Sequence, residues 1–583
     1  MKRVILALVF AAMSFAATLS VSAQTKWHDP TKAGYNVIQN QAYGDEIGKS
    51  YVRFPARAKD VIPSAVWGLS RHSAGLYISF YTNSPSIEVK YTTTSKSYAM
   101  PHMPSTGVSG VDMYRISPDG VWDFCFGGYS FGEEYVSFKY NDLPSKNQYN
   151  QNGYEYRVFL PLYNGVKSLQ IGVAEDAAFN FIPASTEKPI VLYGTSIAQG
   201  GCASRPSMTW GTIMQRSLDY PVINLGFSGN GKMEKEVVSL ISEIDARLFI
   251  LDCIPNVLGF DDIEQRVYNA VKIIREKHSE PILLIEHVGY AHAQTNDKSR
   301  EKSIKGNEAN RRAYEKLIRE GVKDIYYLSQ QELGVSPEST VDYVHLTDKG
   351  MSEQAASVER KVRQILNIPL GDRPTTRPVT QRRSAGYEWR TRHYNIVSQA
   401  ASKQPKALVI GNSIIHNWGE ESINLGTKVW NEKMAKEFVG MGCGWDRIEN
   451  VLWRVYHGAL DGCKPEKIVV KIGTNNIGRD TNIDIVEGIR FLLDAIRVRQ
   501  PEAKIKVMGI LPRRNVEQRV KDINILIKAM AAQEGYEYAD PGVKLLLENG
   551  KIDESLFTDG VHPNNEGYER IVDDFIKWFS LSN

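Results

Sequence analysis

Cysteine is scarce and odd in number: Cys125, Cys202, Cys253, Cys443 and Cys463 are the five in the chain. They form neither a disulfide framework nor a CxxC metal knuckle. A single Cys443–Cys463 bridge stays open, and buried free thiols are the plainer reading. The 11 histidines include no HExxH and no His-x-His pair, so a zinc enzyme is disfavoured. No phosphate-binding loop occurs, and neither Ser196 nor Ser413 sits in a Gly-x-Ser-x-Gly elbow of the α/β-hydrolase type. The net charge is only +3 and is spread along the sequence, which excludes the basic stripe of a nucleic-acid binder. Beyond the N-terminus no run reaches the ~18–20 apolar residues of a membrane span, so stable membrane insertion is not expected.

What is present begins with a leader. Lys2 and Arg3 precede a mostly apolar Val4 to Val21, and Val21-Ser22-Ala23 is a small-residue cleavage pattern. Serine and threonine dilute the apolar stretch and polar sequence follows it, so 1–24 reads as a cleaved signal rather than an anchor. The protein is expected to be secreted or periplasmic. The 583 residues exceed what one core supports, and three domains are the natural expectation.

From 25 to about 186 the chain is rich in aromatic and β-branched residues in alternation. Leu76–Tyr81, Ser86–Tyr91 and Tyr156–Leu160 read as strands separated by turns such as Asn83-Ser84-Pro85, which predicts an antiparallel, jelly-roll-like β-sandwich. The pattern changes at Pro189. Apolar runs Ile190–Tyr193, Leu248–Leu251 and Pro281–Ile285 alternate with amphipathic stretches such as Asp262–Lys277. That is the signature of a parallel sheet covered on both faces, over 187–366. Residues 367–386 are Pro- and Arg-rich without periodicity and read as a linker. The α/β pattern then resumes over 387–583 with Ala407–Ile410, Lys467–Ile472 and Ala503–Met508.

Both α/β modules carry a Gly-x-Ser after their first strand, Gly194-Thr195-Ser196 and Gly411-Asn412-Ser413. Ligands bind at that edge of an open parallel sheet. A serine there is by itself more often a helix cap than a nucleophile. Each module also carries a late Asp-x-x-His, Asp342 to His345 and Asp559 to His562. A carboxylate at that spacing reaches Nδ1 and fixes the tautomer, leaving Nε2 to take a serine proton. The same Asp-x-x-His can also be a local pair at a helix start. The serine-to-histidine separation is 149 residues in both modules (345 − 196 and 562 − 413), which favours the catalytic reading.

Two further blocks repeat. Gly226-Phe227-Ser228-Gly229 and Gly442-Cys443-Gly444-Trp445 end 33 and 32 residues past their serines, and Asn256 and Asn475 lie 60 and 62 residues past them. A backbone N–H in the first block and a side-chain amide in the second are suited to hold an oxyanion, each donor contributing ~2.7–4 kcal/mol.

This ordered set resembles the SGNH (GDSL-like) hydrolases. The similarity is strongest in the second module, where Asn450–Arg454, Gly473–Asn476 and Leu511-Pro512-Arg513 look like the platelet-activating-factor acetylhydrolase type. Gly110-Val111-Asp112-Met113-Tyr114 resembles the GxDLY signature of a β-sandwich found upstream of certain SGNH esterases, and Asp252–Asn256 fits the same subfamily. The resemblance implies an α/β chain of two flavodoxin-like α/β/α sandwiches behind the β-sandwich. It implies Ser196 and Ser413 as nucleophiles, His345 and His562 as bases, and Asp342 and Asp559 as their orienters. Gly229 with Asn256, and Gly444 or Trp445 with Asn475, would form the oxyanion holes. The family's Asp before the serine is replaced by Thr195 and Asn412, and its oxyanion glycine by Trp445.

The activity so implied is removal of O-acetyl groups from carbohydrate, such as acetylated plant polysaccharide or O-acetyl sialic acid, with no metal or organic cofactor. Lipid ester or lysophospholipid hydrolysis is the alternative enzyme reading. A glycan-binding protein with a vestigial hydrolase is the alternative from another class. Trp27, Trp67, Trp122, Trp418 and Trp430 are candidate sugar-stacking surfaces.

Overall fold

The computed structural model describes residues 24–257, 259–384, 386–419 and 423–580, so the leader lies outside the described residues. No helix among them is long and apolar enough to cross a membrane.

The N-terminal part is a sandwich of two antiparallel sheets. One runs in the order Thr25–His28, Val166–Ala174, Ile87–Thr93, Val136–Tyr140, Gly128–Phe131. The other runs Phe179–Phe181, Tyr77–Thr82, Tyr154–Phe159, Asp112–Ile116, Trp122–Cys125, with Ile38–Gln39 also paired to the second of these. The alternation seen in sequence is literal in Ile87–Thr93, where every second side chain is buried. Val89, Tyr91, Phe80, Tyr156 and Ile171 fill the space between the sheets.

Each α/β module holds a five-stranded parallel sheet, and the two share one strand order. In the first, Val222–Gly226, Ile190–Gly194, Leu248–Asp252, Ile282–Ile285 and Ile325–Leu328 lie side by side. In the second the sequence is Phe438–Gly442, Ala407–Gly411, Lys467–Lys471, Lys504–Met508 and Glu537–Ala539. The first strand in sequence is second in the sheet, so the order reverses beside it. That is the flavodoxin-like switch point, and the two Gly-x-Ser turns sit there. Gly226 and Gly442, ending the neighbouring strands, make this possible. A Cβ on either would lie 2.1 and 2.2 Å from a backbone nitrogen of the helix that follows the serine.

The 367–386 segment lacks secondary-structure periodicity because it is a packed brace rather than a free tether. Thr375 donates to the Asp484 carbonyl at 2.6 Å, and Asn450 donates to the Val379 carbonyl at 2.8 Å. Arg382 is buried and ion-paired with Glu155 of the sandwich, and Arg383 pairs with Asp119. The Glu155 carboxylate also meets Arg157 at 2.5 Å; burial raises its pKa, but Arg157, Arg382 and Arg390 outweigh that and bring it from 4.5 to about 2. The two modules also share one apolar core. Trp389, Leu452 and Trp453 pack in the same cluster as Leu192, Trp210 and Tyr220, and the Tyr220 ring stacks on His457 at 4.0 Å.

Of the five candidate sugar-stacking tryptophans, two lie in the core. Trp418 and Trp430 are buried: the helix after Ser413 turns Trp418 onto Tyr568 of the C-terminal helix, stacked at 4.8 Å, and Trp430, from the segment Trp430–Met434, packs against Trp418 at 5.7 Å. Trp27, Trp67 and Trp122 are half-buried, each beneath a cationic side chain (Lys90, Arg71 and Arg157). All five cysteines are free, Cys443 and Cys463 among them.

Candidate active sites

The strand Ile190–Gly194 delivers Ser196 as the first residue of a short helix, with the Thr195 hydroxyl accepting the Ile197 N–H at 3.3 Å. Ser413 likewise opens the helix Ser413–Gly419, and the Asn412 side chain accepts the Ile414 N–H at 3.1 Å. The residues standing where the family has Asp therefore cap these helices, which supports the turn without a charge.

Each serine faces the histidine 149 residues away. Ser196 Oγ lies 2.9 Å from His345 Nε2, and Ser413 Oγ lies 2.8 Å from His562 Nε2. Behind them His345 Nδ1 is 2.8 Å from Asp342 Oδ2, and His562 Nδ1 is 2.7 Å from Asp559 Oδ2. The aspartates divide their labour. Oδ2 takes the ring, while Oδ1 accepts two backbone N–H groups, from Val344 and His345 at 2.7 and 2.8 Å and from Val561 and His562 at 2.9 and 2.8 Å. Partial burial would raise both carboxyl groups, but these hydrogen bonds outweigh it and hold each below its ordinary pKa. Both aspartates stay ionised, the state that fixes the imidazole tautomer and stabilises an imidazolium.

The blocks chosen as oxyanion loops show one backbone solution with two side chains. Gly229 has φ +69° and Trp445 has φ +66°. Both lie in the left-handed region, which glycine enters freely and a bulky side chain enters at a cost. A Cβ at Gly229 would meet nothing within 4 Å, and Trp445 uses the corresponding space: it is 48% exposed, with its ring 5.8 Å from that of Tyr149 in the sandwich. Gly444 lies beside it, its carbonyl accepting from Gln381 at 2.9 Å.

The asparagines differ. The Asn256 carboxamide oxygen accepts the Gly231 N–H at 3.2 Å, which orients its NH2 as the free end. Asn475 instead donates through Nδ2 to the Asp446 carbonyl at 3.0 Å. One of its two amide protons is thus engaged within the loop that carries Trp445.

Several neighbours escaped the sequence reading. The sandwich reaches both serine sites, with His102 5.7 Å from the His345 ring and Tyr149 against Trp445. No local pattern marks either, since each depends on how separate domains pack. Asp112 of the GxDLY-like motif is buried and accepts from Arg205 at 2.6 Å and from the Ser207 backbone at 3.3 Å. That motif therefore clamps the sandwich to the loop following Ser196.

Comparison with known proteins bears on the family and the fold. Residues 187–363 and 409–570 each match models of the GDSL-like lipase/acylhydrolase family, and 25–179 match a model described as the N-terminus of SGNH-hydrolase-type esterases. Human platelet-activating factor acetylhydrolase IB subunit alpha2 is 30% identical over 189 residues, covering 31% of this chain and 80% of that protein. The human alpha1 subunit is 28% identical over 188 residues, covering 31% and 78%. A Bacteroides ovatus protein solved under the description of a GDSL-like lipase is 34% identical, with a TM-score of 0.54 over 59% of this chain and 99% of its own.

Proposed function

The chain belongs to the GDSL-like lipase/acylhydrolase family and is a carboxylic ester hydrolase, and from that premise we propose that it is a secreted two-site O-acetylesterase acting on carbohydrate. The observation that carries the two-site reading is the pair of Ser-His-Asp chains, each continuous within 2.9 Å at every link. In each module the histidine takes the serine proton as Oγ attacks the ester carbonyl. The tetrahedral oxyanion is received by the Gly229 N–H and Asn256 amide in the first module, and by the Gly444–Trp445 backbone and Asn475 in the second. The histidine then protonates the departing alcohol, and water releases acetate by the same route.

The acyl group is read as acetyl because relatives at 28–30% identity are named as acetylhydrolases. The carbohydrate assignment rests on the exposed Trp445 ring next to the second site, held edge to face by Tyr149 at an interplanar angle of 72°. The same relatives' names support the second reading, hydrolysis of an acetylated lipid.

The test is Ser196→Ala, Ser413→Ala and the double variant, assayed on an aryl acetate, a panel of O-acetylated glycans and acetylated phospholipid vesicles. Each single variant is expected to keep one site's turnover, and the double variant to lose activity by about 10³-fold or more. Wild-type rates in the double variant would refute the serine assignment. A preference for vesicles over every glycan would select the lipid reading.

A further inference from the structure

Beside the first serine lies a set of side chains that ester hydrolysis does not use. His102 comes from the sandwich and Cys202 from the loop six residues past Ser196, and both converge on His345. We propose that His102, Cys202 and His345 form a Zn²⁺ site whose occupation shuts off the first module. The inhibition rests on the reading of Ser196 as a nucleophile, whereas binding of the ion does not.

The three ligand atoms lie within 4.8 Å of one another. Around one tetrahedral Zn²⁺, with Zn–N ~2.0–2.1 Å and Zn–S ~2.3 Å, donor atoms sit about 3.3–3.8 Å apart. Closing the sphere therefore takes about 1 Å of movement, which the exposed His102 side chain can supply. Two imidazoles and a thiolate suit Zn²⁺ and exclude the hard oxygen-seeking cations.

The positions are built into the fold. Met100 and Met103 exchange backbone hydrogen bonds at 3.0 and 3.1 Å, a closed turn that presents His102. Cys202 adopts φ +70° between the Gly201 N–H, which donates to the Ser196 carbonyl at 2.7 Å, and the Ala203 N–H, which donates to Gly200 at 3.1 Å. The two segments are locked together: Thr106 donates to the Ser204 carbonyl at 2.7 Å, and a Cβ on Gly107 would lie 2.2 Å from the Ala203 carbonyl oxygen. His345 Nδ1 is engaged by Asp342, so the nitrogen left to coordinate is Nε2. Asp342 then becomes the carboxylate behind a zinc-bound histidine, an arrangement that strengthens the ligand.

Nε2 is also the atom 2.9 Å from Ser196 Oγ. On binding, the Cys202 thiol gives its proton to solvent, and the His345 lone pair that would accept the serine proton goes to the ion. The ion and the first proton transfer exclude one another. The second module has no counterpart: Gly419 stands six residues past Ser413, and this is the one such cluster found among the described residues.

The experiment uses the full chain. Co²⁺ is titrated in, and thiolate-to-Co²⁺ charge-transfer absorption is expected to saturate at one equivalent and be displaced by Zn²⁺. Cys202→Ser should abolish the band, and His102→Ala should weaken binding at least tenfold. In parallel, Zn²⁺ should lower aryl acetate hydrolysis by the Ser413→Ala chain more than tenfold, reversibly with a chelator, and leave the Ser196→Ala chain unaffected. No saturable band, or a band retained in Cys202→Ser, overturns the proposal. So does a zinc-saturated Ser413→Ala chain that hydrolyses at full rate. If every chain lacks esterase activity the serine assignment is at fault instead, and the Co²⁺ spectrum still decides the site.

Discussion

Asp252 and Lys471 hold the same place in two sheets. Each is the register partner of the glycine that precedes its module's Thr/Asn-Ser turn, Asp252 opposite Gly194 and Lys471 opposite Gly411. Both side chains are buried, with opposite charge. Asp252 accepts one long hydrogen bond from Gln354 at 3.4 Å, nine residues past His345; nine residues past His562 stands Ile571. Lys471 Nζ has no hydrogen-bond partner among the described residues. Burial pushes the Asp252 carboxyl up to about 7 and the Lys471 ammonium down to about 7.

These shifts set opposite pH dependences. Asp252 is favourable only while protonated, so stability falls as pH rises from its ordinary 3.8 to about 7. Asp252→Asn should raise the melting temperature at about pH 8 and do little near pH 3, the ceiling being on the order of a few kcal/mol. Lys471 is favourable only while neutral, so its penalty grows as pH falls from 10.5 to about 7. Lys471→Met should stabilise at neutral pH and lose its advantage at high pH. Melting curves across pH decide both, and a variant with a flat difference refutes its half.

The two asparagines should not be equivalent. Asn256→Ala in a Ser413→Ala background is expected to lower kcat by about 10²–10³. Asn475→Ala in a Ser196→Ala background should lose nearer tenfold, because its amide is partly engaged by the Asp446 carbonyl. Equal losses in steady-state kinetics would show that the Asp446 bond gives way in the transition state.

Trp445→Gly relieves a left-handed conformation worth ~1–2 kcal/mol and removes an aromatic contact worth ~0.5–1.5 kcal/mol. Folding stability should change little. Hydrolysis of an aryl acetate at Ser413 should stay within a few-fold, while KM for an acetylated glycan rises about tenfold, the equivalent of ~1.4 kcal/mol. An unchanged glycan KM would remove Trp445 from the carbohydrate surface.

Strands, modules and serine–histidine pairs were readable because each leaves a local mark: a short apolar run, a glycine before a serine, an aspartate three residues before a histidine. The loop geometry of Asp342 and Asp559 is short-range, so spacing was enough to suggest it. Contacts made only by packing left no such mark. Arg382 reads as linker charge until Glu155, 227 residues earlier, closes on it. Trp418 reads as a surface aromatic until the C-terminal helix covers it. His102 and Cys202 lie about a hundred residues apart in different domains, and only docking of the sandwich onto the loop after Ser196 makes them neighbours.

The apolar cluster that runs from Leu192 and Trp210 to Trp389 and Trp453 crosses the boundary that the sequence pattern draws between modules. Two hydrolase units joined by a tether would melt in two steps and survive separation. Each unit keeps an apolar cluster of its own on the other face of its sheet, but this one is common to both, and Arg390 of the second unit is ion-paired with Asp219 of the first. Calorimetry should therefore record one cooperative transition spanning both α/β units, with the loss of one fold carrying the other down.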